Sequence, residues 1–267
     1  MNNCGSCRIP SLVKKYLMAI SGLVLVLFVF GHMAGNLLFF AGPEALNAYA
    51  HKLHSLPGHP YSLWAIRLGL LFFVLLHVVM AVALTRENRQ ARPVNYQNQK
   101  FNRATYAART MPMTGLIILS FIIFHILQFT VRVVPEAYDQ TIQTALIKVG
   151  PEQFIPTFDV YAMVVAGFSS PVIALSYAVA TGLLCLHLAH GVASMFQSIG
   201  LRNELWRGRL NRLALVYGWV IFLGFASIPL SVLLLDVGKP YLESQRAAWQ
   251  TAQTVQASGE GATINFQ

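Results

Sequence analysis

The sequence predicts an all-α membrane protein, a bundle of five transmembrane helices, on three observations. Of its 267 residues 55% are hydrophobic and 11% charged, against roughly 25% charged in ordinary soluble domains. Five mostly apolar stretches, near residues 16–40, 62–84, 112–134, 160–196 and 213–235, reach the about 20 residues a helix needs to cross the hydrocarbon core. The charges between them alternate by segment. Residues 1–15, 85–111 and 196–212 hold 13 Lys and Arg opposed only by Glu87 and Glu204, whereas residues 41–61, 135–159 and 236–267 hold 4 against 8 acidic residues. No β-barrel alternation competes with this pattern.

The first stretch follows Lys14 and Lys15 and superficially resembles a secretory signal. Its apolar part exceeds the 7–15 residues of a signal core and no A-x-A cleavage site follows, so it reads as helix I. Helix II ends in the most basic segment, residues 85–111, which either docks a partner or anchors spans against anionic lipid headgroups. Pro112 falls where the first turn of helix III is expected, a position that tolerates a missing amide proton. Pro171 interrupts the long fourth stretch and predicts a kink or a late helix start. Residues 1–243 thus read as one transmembrane domain. The polar, Gly-containing tail 244–267 lies outside the bilayer, with a composition that favours partial disorder. No internal repeat or low-complexity tract is evident.

Because cytoplasmic loops carry the excess of Lys and Arg, the amino terminus is expected on the cytoplasmic side and the carboxyl terminus outside. This sorting accounts for the net charge of +9 through membrane topology and lipid contact, with no nucleic acid required. Of three cysteines, Cys4 and Cys7 form a lone C-x-x-C, two ligands short of a zinc site, and Cys185 reads as a small packing residue within a span.

His51, His54 and His59 lie in the first outer loop, but His32, His77, His125, His187 and His190 lie inside spans. Ionisable side chains are costly there and point to function. At 1.5 Å per residue, His32 lies roughly 24 Å from the inner end of helix I and His125 roughly 20 Å from that of helix III, both in the outer half of the bilayer. His77, about 10 Å from the inner end of its helix, and His187, about 14 Å, fall in the inner half. Two histidines at each of two levels are what two stacked six-coordinate b haems need. Zinc would want four ligands per site, and a proton relay would recruit Asp or Glu that these spans lack. Gly31 and Gly35 beside His32, and Gly182 and Gly191 about His187, offer room for a macrocycle or for close helix packing.

"KKYLMAISGL", "FGHMAGNLLFFAGPEALNAYAHKLH" and "LHLAHGVASMFQSIGL" together resemble the cytochrome b subunit of succinate dehydrogenases and fumarate reductases, in the single-chain, five-helix, two-haem class. The resemblance runs from about residue 11 to 236. It implies axial ligands from the first four helices, first paired with third and second with fourth: His32 with His125 at a distal haem, His77 with His187 at a proximal one. His187 begins the family's H-x-x-x-G pattern, leaving His190 as a neighbour. The resemblance also implies an anchor in the bacterial inner (cytoplasmic) membrane, passing electrons between a quinone, expected to be menaquinone, and an iron-sulfur subunit joined to a flavoprotein on the cytoplasmic side.

The chain itself carries no G-x-G-x-x-G fingerprint and no cysteine run for a cluster, so the dicarboxylate chemistry is expected elsewhere. Quinone chemistry needs proton donors and acceptors, which Glu44, Asn47, His51 and His54 of the first outer loop offer. Arg67 and Arg132 are candidate propionate partners or snorkelling side chains. Two departures from the family stand out: Glu44 sits closer to helix I than its quinone-site acid, and Cys185 replaces a glutamate that some relatives carry two residues before the proximal ligand. The alternatives are a cytochrome b of a hydrogenase or formate dehydrogenase, and a transporter or structural anchor that binds no haem.

Overall fold

The protein was analysed as a computed structural model, which describes residues 9–91, 106–134, 145–148 and 154–257. Eight α-helices follow one another: α1 (Ser11–Asn36), α2 (Pro43–His54), α3 (Tyr61–Gln90), α4 (Tyr106–Ile126), α5 (Val160–Phe168), α6 (Pro171–Ser198), α7 (Glu204–Leu235) and α8 (Lys239–Ala257). Strands β1 (Ala145–Lys148) and β2 (Phe154–Thr157) pair antiparallel, Ala145 opposite Thr157, in a short ribbon the sequence did not announce. Five segments are long and apolar enough to cross a membrane: Ser11–Ala41, Tyr61–Gln90, Arg109–Val131, Pro171–Ser198 and Glu204–Leu235. They are the five stretches expected from hydropathy.

The boundaries differ where local chemistry was misjudged. Pro112 lies inside α4, which begins six residues earlier at Tyr106. A proline this close to a helix start deprives only an early carbonyl of its partner. Pro171 marks a late start: the fourth stretch divides into α5 and the spanning helix α6, with Ser169 and Ser170 between them. Helix α8 runs through residue 244 to Ala257, and its Leu242 is buried in the core. Residues 258–267, most of loop 85–111 (92–105), and Cys4 and Cys7 lie outside the described residues.

The contacts divide the chain into two compact units, the first made of Met1–Ala34, Leu56–Ser120 and Ala180–Leu223, the second of Gly35–Ser55, Phe121–Val179 and Gly224–Gln267. In the first, α1 and α3 are tied at their charged ends: Lys14 pairs with Glu87, which also accepts from Ser11 Oγ at 2.9 Å. Tyr217 of α7 donates to the Val26 carbonyl of α1 at 2.6 Å. Helix α7 meets α6 through Gly218, where an added Cβ would lie 2.8 Å from the Cys185 carbonyl and 3.3 Å from its Sγ. Small residues let helices approach this closely when water offers no hydrophobic force between them, and Cys185 is the packing residue expected. Backbone cannot yield as a flexible side chain does, so Gly218→Ala is expected to destabilise by about 1–3 kcal/mol. Thermal unfolding in detergent is the check.

The second unit is built around α5, whose residues Tyr161 to Phe168 are all buried. A helix apolar on every side belongs inside a fold. Phe39, Leu46, Ile173, Tyr177, Ile228, Val232 and Leu242 surround it. Asp159 starts α5 by accepting from the Ala162 amide at 2.9 Å, a carboxylate cap on otherwise unpartnered amides. Between α1 and α2 the chain turns at Gly42, with φ of 96° and ψ of 177°, a conformation essentially limited to glycine. Pro43 then opens α2. Leu27, Leu71, Leu75, Leu116, Val179 and Leu223, all on the spans, are exposed, as lipid-facing positions would be.

Candidate functional site

The first unit brings His77 of α3 and His187 of α6 together, ring centroids 6.4 Å apart and planes at 61°. Each ring is held by a hydroxyl on a neighbouring helix. Ser21 Oγ of α1 lies 3.4 Å from His77 Nδ1, and Thr114 Oγ1 of α4 lies 3.3 Å from His187 Nδ1. Ser21 also reaches the Leu17 carbonyl at 2.8 Å and that of Met18 at 3.1 Å, and Thr114 reaches the Met111 carbonyl at 3.1 Å. Such bonds back along a helix are habitual for Ser and Thr. A hydroxyl has one proton, and in each case its shorter contact is a carbonyl. If each hydroxyl gives that proton to its carbonyl, the imidazole is the donor at Nδ1 and the lone pair falls on Nε2.

Glycines make room for these rings. A Cβ on Gly22 would lie 3.5 Å from His77 Cε1, and one on Gly115 would lie 3.6 Å from His187 Cε1. With metal–imidazole bonds of about 2 Å, two imidazoles trans on one ion hold their ring centres about 6 Å apart. The observed pair fits that span, with its second nitrogens already bonded as is usual for metal-binding histidines. Among the described residues there is no group of three or more His, Cys, Asp or Glu that would hold an ion without such a trans pair.

His32 belongs to the first unit and His125 to the second. Each has an aromatic ring one turn before it: Phe28 stacks on His32 at 5.3 Å and 15°, Phe121 on His125 at 6.1 Å and 30°. His125 Nδ1 lies 3.1 Å from Tyr177 Oη, which donates to Gln128 Oε1 at 2.7 Å. Read in the same way, His125 would donate to Tyr177 from Nδ1. Gln128 is fully buried beneath Gly167, where a Cβ would come within 2.9 Å of its Nε2.

The loop residues expected at a quinone site separate on α2. Glu44 and His54 are exposed and His51 is half-buried. Asn47 is buried and fully engaged: its Nδ2 donates to Asp159 Oδ1 at 3.0 Å and its Oδ1 accepts the Tyr161 amide at 3.0 Å. Tyr241 of α8 donates to Asp159 Oδ2 at 2.8 Å. Burial, followed by the neighbouring Asp159, raises the Tyr161 phenol above its ordinary range. Burial again leads for Tyr241, with its bond to Asp159 adding to the rise. Asp159 had read only as one acid among those of an outer loop.

A Cβ on Gly182 would meet Phe222 at 3.6 Å, one on Gly191 Met111 at 3.9 Å, and one on Gly35 the Tyr49 ring at 2.7 Å, whereas Gly31 faces nothing within 4 Å. Arg67 lies over the Trp64 ring at 5.4 Å and Arg132 over Phe158 at 3.5 Å. The residues missed from sequence, Ser21, Gly22, Thr114 and Gly115, carried a signal all the same. "SGLVLVLFVFGH" (21–32) and "TGLIILSFIIFH" (114–125) share (Ser/Thr)-Gly-Leu-x4-Phe-x3-His, and "HVVMAVA" (77–83) and "HLAHGVA" (187–193) share His-x3-(Ala/Gly)-Val-Ala. The chain thus contains a repeat, contrary to the reading of its sequence. Compared with known protein families, curated proteins and solved structures, the chain matches none.

Proposed function

We propose that this chain is a di-haem cytochrome b, the membrane anchor of a succinate:quinone oxidoreductase or fumarate reductase that passes electrons between membrane quinone and a peripheral iron-sulfur subunit. The observation that carries the reading is the His77–His187 pair, at a trans-ligand spacing with each Nδ1 bonded to a hydroxyl. A b haem, if bound, would supply one-electron oxidation and reduction of its iron. His77 and His187 would hold the proximal haem by Nε2. His32 and His125, assigned to the outer level by a residue count along their helices in the sequence, are proposed to hold the distal one. Phe28 and Phe121 orient the latter rings by stacking.

Quinone reduction and oxidation move protons as well as electrons. Glu44, His51 and His54 of α2 are the groups proposed to exchange them, Asn47 being occupied by Asp159 and Tyr161. The iron-sulfur subunit and its flavoprotein are proposed to dock on the basic face at the cytoplasmic side of the bacterial inner membrane. The test is haem b per polypeptide in the purified chain, by reduced-minus-oxidised spectra of the pyridine adduct. A ratio near two is expected, and a well-folded colourless protein would sink the reading. Pull-down with the tagged chain is expected to bring down a flavoprotein and an iron-sulfur protein together.

A further inference from the structure

The two halves of the proximal pair are built alike. In the first, a Ser-Gly on α1 faces His77 of α3; in the second, a Thr-Gly on α4 faces His187 of α6. Ser21 stands 11 residues before His32 and Thr114 stands 11 residues before His125, with Phe28 and Phe121 at matching places. The match extends from sequence to contact: hydroxyl to Nδ1 at 3.4 and 3.3 Å, glycine to Cε1 at 3.5 and 3.6 Å.

We infer that the chain is a duplicated two-helix unit, α1–α3 and α4–α6, in which Ser21 and Thr114 are equivalent positioning residues that fix both proximal histidines in the Nδ1–H tautomer. The inference deepens the haem reading and rests on it only for the redox consequences. A hydroxyl that has given its proton to a helix carbonyl accepts from the imidazole without bearing a charge. It turns the ring so that Nε2 faces away from the supporting helix, and it leaves the ligand a neutral imidazole. A carboxylate in that place would draw the Nδ1 proton and make the ligand more basic. Because the same device serves both rings, the two axial ligands of one iron are matched in donor strength. Tyr177 and Gln128 give His125 a different support, so Ser21 and Thr114 act on one haem and Tyr177 on the other.

The test uses the full chain in lipid bilayers, reduced with dithionite so that low-spin haem iron is diamagnetic, with 15N-labelled histidine. Solid-state NMR is expected to find His77 and His187 protonated at Nδ1, assigned by loss of their signals in His77→Gln and His187→Gln. Ser21→Ala and Thr114→Ala are expected to keep both haems, to shift the midpoint potential of the same haem, and to change its low-spin EPR signal. Thr114→Ser restores the wild-type values, and Tyr177→Phe moves only the other haem. An Nε2–H tautomer in the wild type, or an unchanged potential and EPR signal in both alanine variants, overturns the inference. If the wild type binds no haem yet its His77 and His187 carry Nδ1–H that Ser21→Ala and Thr114→Ala abolish, the cytochrome reading fails and the positioning role stands.

Discussion

His187→Ala and His77→Ala are each expected to halve the haem content of the purified protein, from about two per chain to about one. Under the proposed function, either change would remove one of the two imidazoles that hold one haem, and a haem held by a single imidazole in a helix bundle would be readily lost on purification. The two variants should therefore lose the same haem, leaving one midpoint potential and one EPR signal unchanged between them. His190→Ala is expected to retain both. His187 is the histidine whose ring lies 6.4 Å from that of His77 and whose Nδ1 reaches Thr114. If His190→Ala rather than His187→Ala lost a haem, the pairing drawn from the hydroxyl contacts would be wrong. If the two single variants lost different haems, His77 and His187 would not share an iron.

The second large effect is expected at a residue with no part in electron transfer. Asp159 is buried, caps α5, accepts from Asn47 of α2 and accepts from Tyr241 of α8. Asp159→Ala removes a cap worth about 1 kcal/mol and leaves donors of Asn47 and Tyr241 buried without an acceptor, at about 1–3 kcal/mol each. A loss of about 3–7 kcal/mol is expected, read as a large fall in unfolding temperature and rapid proteolysis. Glu243→Ala, an exposed acid on the same helix as Tyr241, should stay within about 0.5 kcal/mol of wild type. Equal behaviour of the two variants would show that the carboxylate holds nothing together. A pH dependence accompanies the network. The Tyr241 phenol is raised above its ordinary value of 10.0, so the fold favours its protonated form. That contribution is full below about pH 10 and is lost as the pH rises through the folded value. Tyr241→Phe should flatten this alkaline loss.

What the sequence disclosed follows from the range of the forces involved. The depths assigned to the histidines were a residue count times a helical rise, while spans are a property of contiguous hydropathy, so all five were legible. The supporting residues were not. Ser21 meets His77 across 56 positions and Thr114 meets His187 across 73, and nothing local distinguishes these hydroxyls from others on apolar helices. Asp159 was hidden for the opposite reason: charge counting placed it with solvated loop acids, while two partners from distant segments, Asn47 and Tyr241, made its burial possible. Asn47, read as a quinone-site polar group, is one of those partners. The repeat was overlooked because its positions are dispersed among interchangeable apolar residues. Only the coincidence of two sets of contacts made them stand out.

The 11 residues from Ser21 to His32 have a mechanical meaning. They amount to about three turns and about 16.5 Å of rise, with a residual rotation of only about 20°. Helix α1 is therefore a ruler with two marks on one edge, steadying His77 with one and presenting His32 about three turns further along with the other. Sliding or rotating such a rod to suit one mark misplaces the other. A single residue inserted between Leu25 and Val26 would turn the marks by about a further 100°, to about 120° apart, so the two levels must have changed together, by whole turns, whenever the length of this helix changed.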